Sequence, residues 1–161
     1  MRIAIFSDIH ANVISLKAVL AHIEKAQIDK LICLGDVATM GPRPKETVSL
    51  LRQLECTFIM GNHDEYVLDP EVGRSYMDAE WFIRTIRWGQ SQLSEDDLAF
   101  IRTFLPFCEF ALPNGDTMLC YHGSPKSNTD ILLPMTPPTS VDNLIGYHPA
   151  RVMVGGTHIF K

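Results

Sequence analysis

Thr57-Phe58-Ile59-Met60-Gly61-Asn62-His63-Asp64 is the stretch on which the fold turns. A short apolar run, long enough for a buried strand, meets a glycine and then an amide, an imidazole and a carboxylate. Polar groups directly behind a buried strand are costly unless each finds a partner. The same pattern occurs twice upstream. The run from Arg2 to Phe6 ends in Ser7-Asp8-Ile9-His10, and Leu31-Ile32-Cys33-Leu34 is stopped by Gly35-Asp36. Between these runs the spacing becomes helical. Val13, Leu16, Ala18, Val19, Leu20 and Ile23 fall on one face of a helix from Val13 to Lys25, and a second helix is predicted from Lys45 to Leu54. Strand-helix-strand-helix-strand is the alternation that builds a parallel sheet.

Downstream the pattern changes. Tyr66 to Gly89 is less regular, with one helix predicted from Ser75 to Trp88 and Trp81 and Trp88 read as core. Ser94 followed by Glu95, Asp96 and Asp97 is a helix start, and that helix stops before Pro106. Asn114-Gly115 between two apolar runs, Phe107 to Leu112 and Thr117 to Tyr121, predicts a hairpin and so a switch to antiparallel pairing. Residues 124–140, rich in Pro, Ser and Thr, read as a long loop over the site. Arg151 to Val154 reads as a last strand carrying Gly155-Gly156-Thr157-His158. No repeat, low-complexity tract or linker marks a second domain, so 1–161 reads as one domain.

The totals narrow the function classes. Apolar residues make up 46% and charged residues 20%, a globular balance rather than a disordered one. The formal net charge of −5 argues against a broad face for nucleic acid, and so against a nuclease. It leaves a phosphate ester open as substrate, because bound metal ions reverse the local field. Cys33, Cys56, Cys108 and Cys120 are scattered without C-x-x-C spacing. Cys33, Cys56 and Cys120 lie in or beside apolar runs and read as small hydrophobes. Met1 to Phe6 is too short for a signal-peptide core, and no apolar run approaches the ~18 residues of a membrane span. The expectation is a soluble cytoplasmic protein with no membrane partner.

Taken singly, each polar patch also reads as an ordinary turn or helix cap. Taken together, they raise oxygen and imidazole ligands on the ends of buried strands, as a two-metal hydrolytic centre requires. Asp8-x-His10, Gly35-Asp36, Gly61-Asn62-His63-Asp64, the lone His122 and the closing His158 follow the order of the calcineurin-like metallophosphoesterases, which the chain resembles. The resemblance implies a four-layer α/β/β/α sandwich of two mixed sheets. It implies that Asp8, His10 and His158 hold a first divalent metal, that Asn62 and His122 hold a second, and that Asp36 bridges the two. It places His63 at the scissile phosphate and makes Asp64 the group that orients the His63 imidazole. The reaction implied is in-line attack on phosphorus by a hydroxide held between the metals. The N/O donor set fits Mn²⁺, Fe, Zn²⁺ or Ni²⁺ without choosing among them. Arg43, in Gly41-Pro42-Arg43-Pro44 close behind Asp36, is a candidate phosphate contact beside its plain reading as a solvated loop arginine. His22 reads as an exposed helix residue and His148 as a loop residue.

Two features depart from the family pattern. Gly156 stands where the family has the first His of G-H-x-H, a ligand to the second metal, so that site would keep only Asp36, Asn62 and His122. The chain also ends at Lys161, where family members continue for several strands. The second sheet is therefore expected to be incomplete, with open edges that favour self-association. The leading reading is a dinuclear metal-dependent phosphoesterase acting on phosphomonoesters or phosphodiesters, weakened at Gly156. The small size favours a small or nucleotide-like substrate over a protein. The alternatives are a non-catalytic binding scaffold, which Gly156 favours and His63 with Asp64 disfavour, and a nuclease.

Overall fold

Parallel pairing begins where the apolar runs predict it. In the computed structural model, which describes residues 1–156, β1 (Ile3–Phe6), β2 (Lys30–Cys33) and β3 (Thr57–Phe58) form one sheet in the order β1-β2-β3. Ile3 to Phe6 lie opposite Lys30 to Cys33, and Ile32 and Cys33 lie opposite Thr57 and Phe58, all in parallel register. Helices α1 (Val13–Glu24) and α2 (Pro44–Leu51) make the crossovers. The Asn12 side chain caps α1 by accepting the Ser15 N–H, and Pro44 opens α2, where its missing N–H costs nothing. Because successive strand residues face opposite sides, Cys33 packs under the helices with Leu16, Val48 and Leu51, while Ile32 and Leu34 face the other way.

Four helices follow the third strand: α3 (Asn62–Leu68), α4 (Pro70–Tyr76), α5 (Glu80–Ser91) and α6 (Glu95–Ile101). The expected single helix from Ser75 to Trp88 is two. Asp69 caps an earlier start at Pro70, and extended backbone at Met77 and Ala79 breaks the run. Trp81 and Trp88, expected in the core, are exposed, because α5 turns Phe82, Ile83, Ile86 and Gly89 inward at helical spacing. The helix start at Ser94 is as predicted. Its side chain accepts the Asp97 N–H and Asp97 accepts the Ser94 N–H in return, a capping box.

The predicted hairpin joins β4 (Phe107–Ala111) to β5 (Thr117–Tyr121), and β6 (Val152–Gly155) pairs with β5 in parallel. This second sheet has the order β4-β5-β6 and packs Met118 and Cys120 against Ile32, Leu34 and Ile59 of the first. The first sheet is parallel throughout and the second is mixed. Part of the expected 124–140 loop is helical instead: α7 (Pro138–Ile145) starts on a proline and buries none of its residues. Among the described residues no strand covers the outer edge of β6. No helix among them is long and apolar enough to cross a membrane.

Candidate metal centre

The site grows out of the first sheet's ladder. Beyond the strands, the Asp8 N–H donates to Gly35 O at 3.0 Å, His10 N–H to Asp36 O at 2.9 Å and Ala11 N–H to Val37 O at 2.7 Å. The turn bearing Asp8 and His10 is thereby held beside the turn bearing Asp36. Both turns use left-handed backbone, with φ of 59° at Asp8, 45° at His10, 53° at Ala11 and 59° at Asp36. Non-glycine residues adopt this region at a cost and concentrate there at functional sites. The interlocking N–H bonds are what hold them in it.

Asp64 ties in the third turn. Its carboxylate accepts N–H groups from Asp36 at 2.8 Å, Val37 at 2.9 Å and Gly61 at 3.0 Å. This corrects the expected role: Asp64 grips backbone and does not bond to the His63 ring. That ring meets Thr39 Oγ1 through Nδ1 at 2.8 Å, so a threonine takes the orienting place. Burial pushes the Asp64 carboxyl up to about 6, against the three backbone donors that lower it. Gly35 and Gly61 are required by close approach. A Cβ on Gly35 would strike the Gly61 backbone, and one on Gly61 would strike the Asp36 carboxylate.

Asp36 is the centre of the arrangement. It is fully buried, and its Oδ1 accepts the His63 N–H at 2.9 Å. Its Oδ2 lies 3.7 Å from His10 Nε2 and 3.5 Å from His122 Nε2, and His10 Nε2 is also 3.8 Å from Asp8 Oδ1. Burial, then the charges of Asp64 and Asp8, push the Asp36 carboxyl well above the ordinary carboxylate range; the His63 N–H works against this.

The second sheet delivers His122 at the end of β5. Its Nδ1 lies 2.6 Å from Leu34 O, which can only accept, so this nitrogen carries the proton. In the neutral ring the Nε2 lone pair then faces Asn62 Oδ1 at 3.0 Å and Asp36 Oδ2 at 3.5 Å. Three electron-pair donors converging in a buried space fit a cation, and a backbone carbonyl behind the imidazole is the usual support for a metal-binding histidine. Asp8, Asp36 and His122 offer ligand atoms that all lie within 4.8 Å of one another.

The structure thus brings together Asp8, His10, Asp36, Asn62, His63, Asp64 and His122. The His63 ring stands 5.0 Å from the His10 ring, with Tyr66 and Phe82 packed at 5.3 and 5.7 Å. His158 lies outside the described residues. The Arg43 side chain is exposed, and its backbone N–H donates to Ala11 O at 3.1 Å, which holds its loop against the Asp8–His10 turn. His148 pairs with Glu109 at 3.2 Å and takes no part in the centre. The loop after His122 borders a cavity of about 620 Å³ with Met60, Glu65 and Phe107, and Ser124 to Asn128 form its other wall. Thr39 is the residue that sequence reasoning missed, since a lone threonine after Gly35-Asp36 carries no motif.

The calcineurin-like phosphoesterase profile matches residues 1–157. The chain belongs to the calcineurin-like phosphoesterase family. It is similar to an uncharacterized protein of Methanocaldococcus jannaschii, with 34% identity over 157 residues, covering 98% of this chain and 62% of that one. The chain therefore spans less than two thirds of that relative's length. A crystal structure of a metallophosphoesterase from Sphaerobacter thermophilus superposes with a TM-score of 0.60 at 31% identity, covering 80% of this chain and 49% of that one. A crystal structure of a hypothetical protein from Pyrococcus horikoshii shares the fold, with a TM-score of 0.71 at 21% identity, covering 88% of this chain and 63% of that one. Family membership makes this chain's fold that of a metallophosphoesterase. The group of Asp8, Asp36 and His122 is its candidate site for divalent metal.

Proposed function

We propose that the chain is a metal-dependent phosphoesterase that hydrolyses small phosphomonoesters or phosphodiesters. The observation that carries this reading is the position of Asp36 Oδ2 between His10 Nε2 at 3.7 Å and His122 Nε2 at 3.5 Å. A carboxylate set between two imidazoles suits a bridge between two cations, with Asp8 and His10 on one side and Asn62 and His122 on the other. His158 is assigned to the first ion by resemblance. When bound, such ions supply Lewis acidity and lower the pKa of water. His63, held by Thr39, is the group to meet the phosphate and to stabilise or protonate the leaving oxygen. Arg43 is a further phosphate contact in this reading, and the substrate is taken to be a small or nucleotide-like ester. The outer edge of β6, which no strand covers among the described residues, is proposed as a surface for self-association.

Gly156 bears on the second ion. A Cβ at this position would lie 3.2 Å from His122 Nδ1 and 2.5 Å from Ser7 Oγ, so the position adjoins the His122 side of the centre. A glycine there offers no ligand. Gly156 is the observation that favours a non-catalytic binding scaffold, while the ordered His63–Thr39 pair favours catalysis. Metal content, with turnover of an aryl phosphodiester and an aryl phosphomonoester in added Mn²⁺, tests the proposal. Two metals per chain with turnover support it. Turnover that appears only in Gly156→His, once the Ser7 hydroxyl has rotated away, supports a catalytic machine short of one ligand. No turnover from either protein at full metal loading rejects the enzyme in favour of the scaffold.

A further inference from the structure

Cys108 on β4 and Cys120 on β5 are direct partners in the antiparallel ladder. Directly opposed residues point to the same face of a sheet. Both belong to the apolar layer between the sheets, Cys120 fully buried and Cys108 half-buried at its margin. The hairpin sets the spacing between them. The Leu112 N–H donates to Asp116 O at 2.8 Å, which makes that pair a hydrogen-bonded one. Alternation along the ladder then makes Phe110–Met118 and Cys108–Cys120 hydrogen-bonded pairs as well. The Cα atoms of such a pair lie about 5.5 Å apart. Disulfides span Cα distances of about 4.4–6.8 Å, which includes this pair, but they draw the Cβ atoms to about 3.5–4.5 Å, closer than a hydrogen-bonded pair sets them, so the two strands must twist locally for the bond to close.

We propose that Cys108 and Cys120 form a cross-strand dithiol that closes to a disulfide in the presence of a low-molecular-weight disulfide oxidant. The site stands apart from the phosphoesterase reading. In the first step the Cys108 thiolate attacks one sulfur of the oxidant and releases one small thiol. In the second, Cys120 attacks the Cys108 sulfur of the mixed disulfide and releases the other. The protein loses two protons and two electrons, and the oxidant is reduced to two thiols. Cys108 suits the first step. The Cys120 thiol donates to it and Lys30 lies near, which together hold its thiol below the ordinary value although burial opposes them. Cys56 does not suit it, because burial pushes that thiol up to about 12.

The test is a peptide map of the whole chain after incubation with oxidised glutathione and alkylation of the remaining thiols. Two of the four thiols are expected to be lost, with the Cys108 and Cys120 peptides linked within one chain. Reduction should restore all four thiols to alkylation. Cys108→Ser should form no link. If that variant does not fold, the wild-type map decides alone. Four alkylated thiols, a link that uses Cys33 or Cys56, a link between chains, or a glutathione adduct that stays on Cys108 would each overturn the proposal.

Discussion

Asp64 Oδ2 accepts the backbone N–H of Asp36 at 2.8 Å, although the two residues lie 28 positions apart in the chain. With its bonds to Val37 and Gly61, this buried carboxylate joins the turn that presents Asp36 to the turn that presents Asn62 and His63. Its role is positional: it fixes the distance between groups of the candidate metal centre.

Removing that carboxylate leaves three buried N–H groups without their acceptor. Asp64→Ala is expected to cost about 3 kcal/mol or more of stability, and to lower metal affinity because the Asp36 turn is released from its strained φ. Urea unfolding and metal analysis on the same preparation check this. A variant with wild-type stability and metal content would show that the N–H groups find other acceptors, and would remove Asp64 from the centre's framework.

Thr39 gives a different signature. Its hydroxyl meets only the His63 ring among the groups of the centre, so Thr39→Val should leave metal content unchanged. One neutral hydrogen bond of about 1 kcal/mol corresponds to a fall in kcat of roughly five- to tenfold. Thr39→Ser, which keeps the hydroxyl, should recover most of it. If the valine variant loses metal instead, Thr39 serves the fold rather than His63.

How much of this was readable beforehand follows the range of the interactions. The hairpin at Asn114-Gly115 and the Ser94 cap are local, and β5 and α6 lie where those signals put them. The centre's residues were legible because each sits immediately behind an apolar run. The start of α3 at Asn62 was not. It depends on Asp64 accepting the Gly61 N–H while Tyr66 and Val67 pack inward, and Gly61-Asn62 alone reads as a turn. The true work of Asp64 was hidden for a related reason: two of its partners are backbone amides 27 and 28 residues away, which carry no residue identity to notice. Trp81 and Trp88 misled because size suggested burial, whereas their helical phase opposes Phe82, Ile83 and Ile86.

Asp97 sets a pH dependence outside the centre. Burial works to raise its carboxyl, but the Ser94 hydroxyl and N–H, with Arg52 Nη1 at 3.0 Å, hold it below the ordinary value. A depressed folded pKa adds stability that is present above the unfolded value of about 4 and is lost as pH falls through the folded one. Asp97→Asn should therefore cost about 1–2 kcal/mol at pH 7, mostly from the cap, because Arg52 is partly exposed. The gap to wild type should narrow below pH ~4. Urea unfolding at pH 7 and pH 3 measures it, and an equal gap at both would show that the Asp97 charge contributes nothing.

Gly61 and Gly115 separate close approach from backbone freedom. Gly61 has φ −81° and ψ 165°, extended backbone that alanine adopts without strain. A Cβ there would nevertheless strike the Asp36 carboxylate and lie 2.5 Å from Asp36 N, so Gly61→Ala must push Asp36 out of place. Gly115 is the reverse case. Its φ is 85°, with nothing within 4 Å of an added Cβ, so Gly115→Ala meets only the cost of left-handed backbone, about 1 kcal/mol. Titration of each variant with Mn²⁺ should show at least a tenfold loss of affinity for Gly61→Ala and none for Gly115→Ala, although both remain folded by circular dichroism. Equal affinities in the two variants would mean that Asp36 is not a ligand, because no side chain is pressed harder by the Gly61 methyl than the one proposed to hold the metals together.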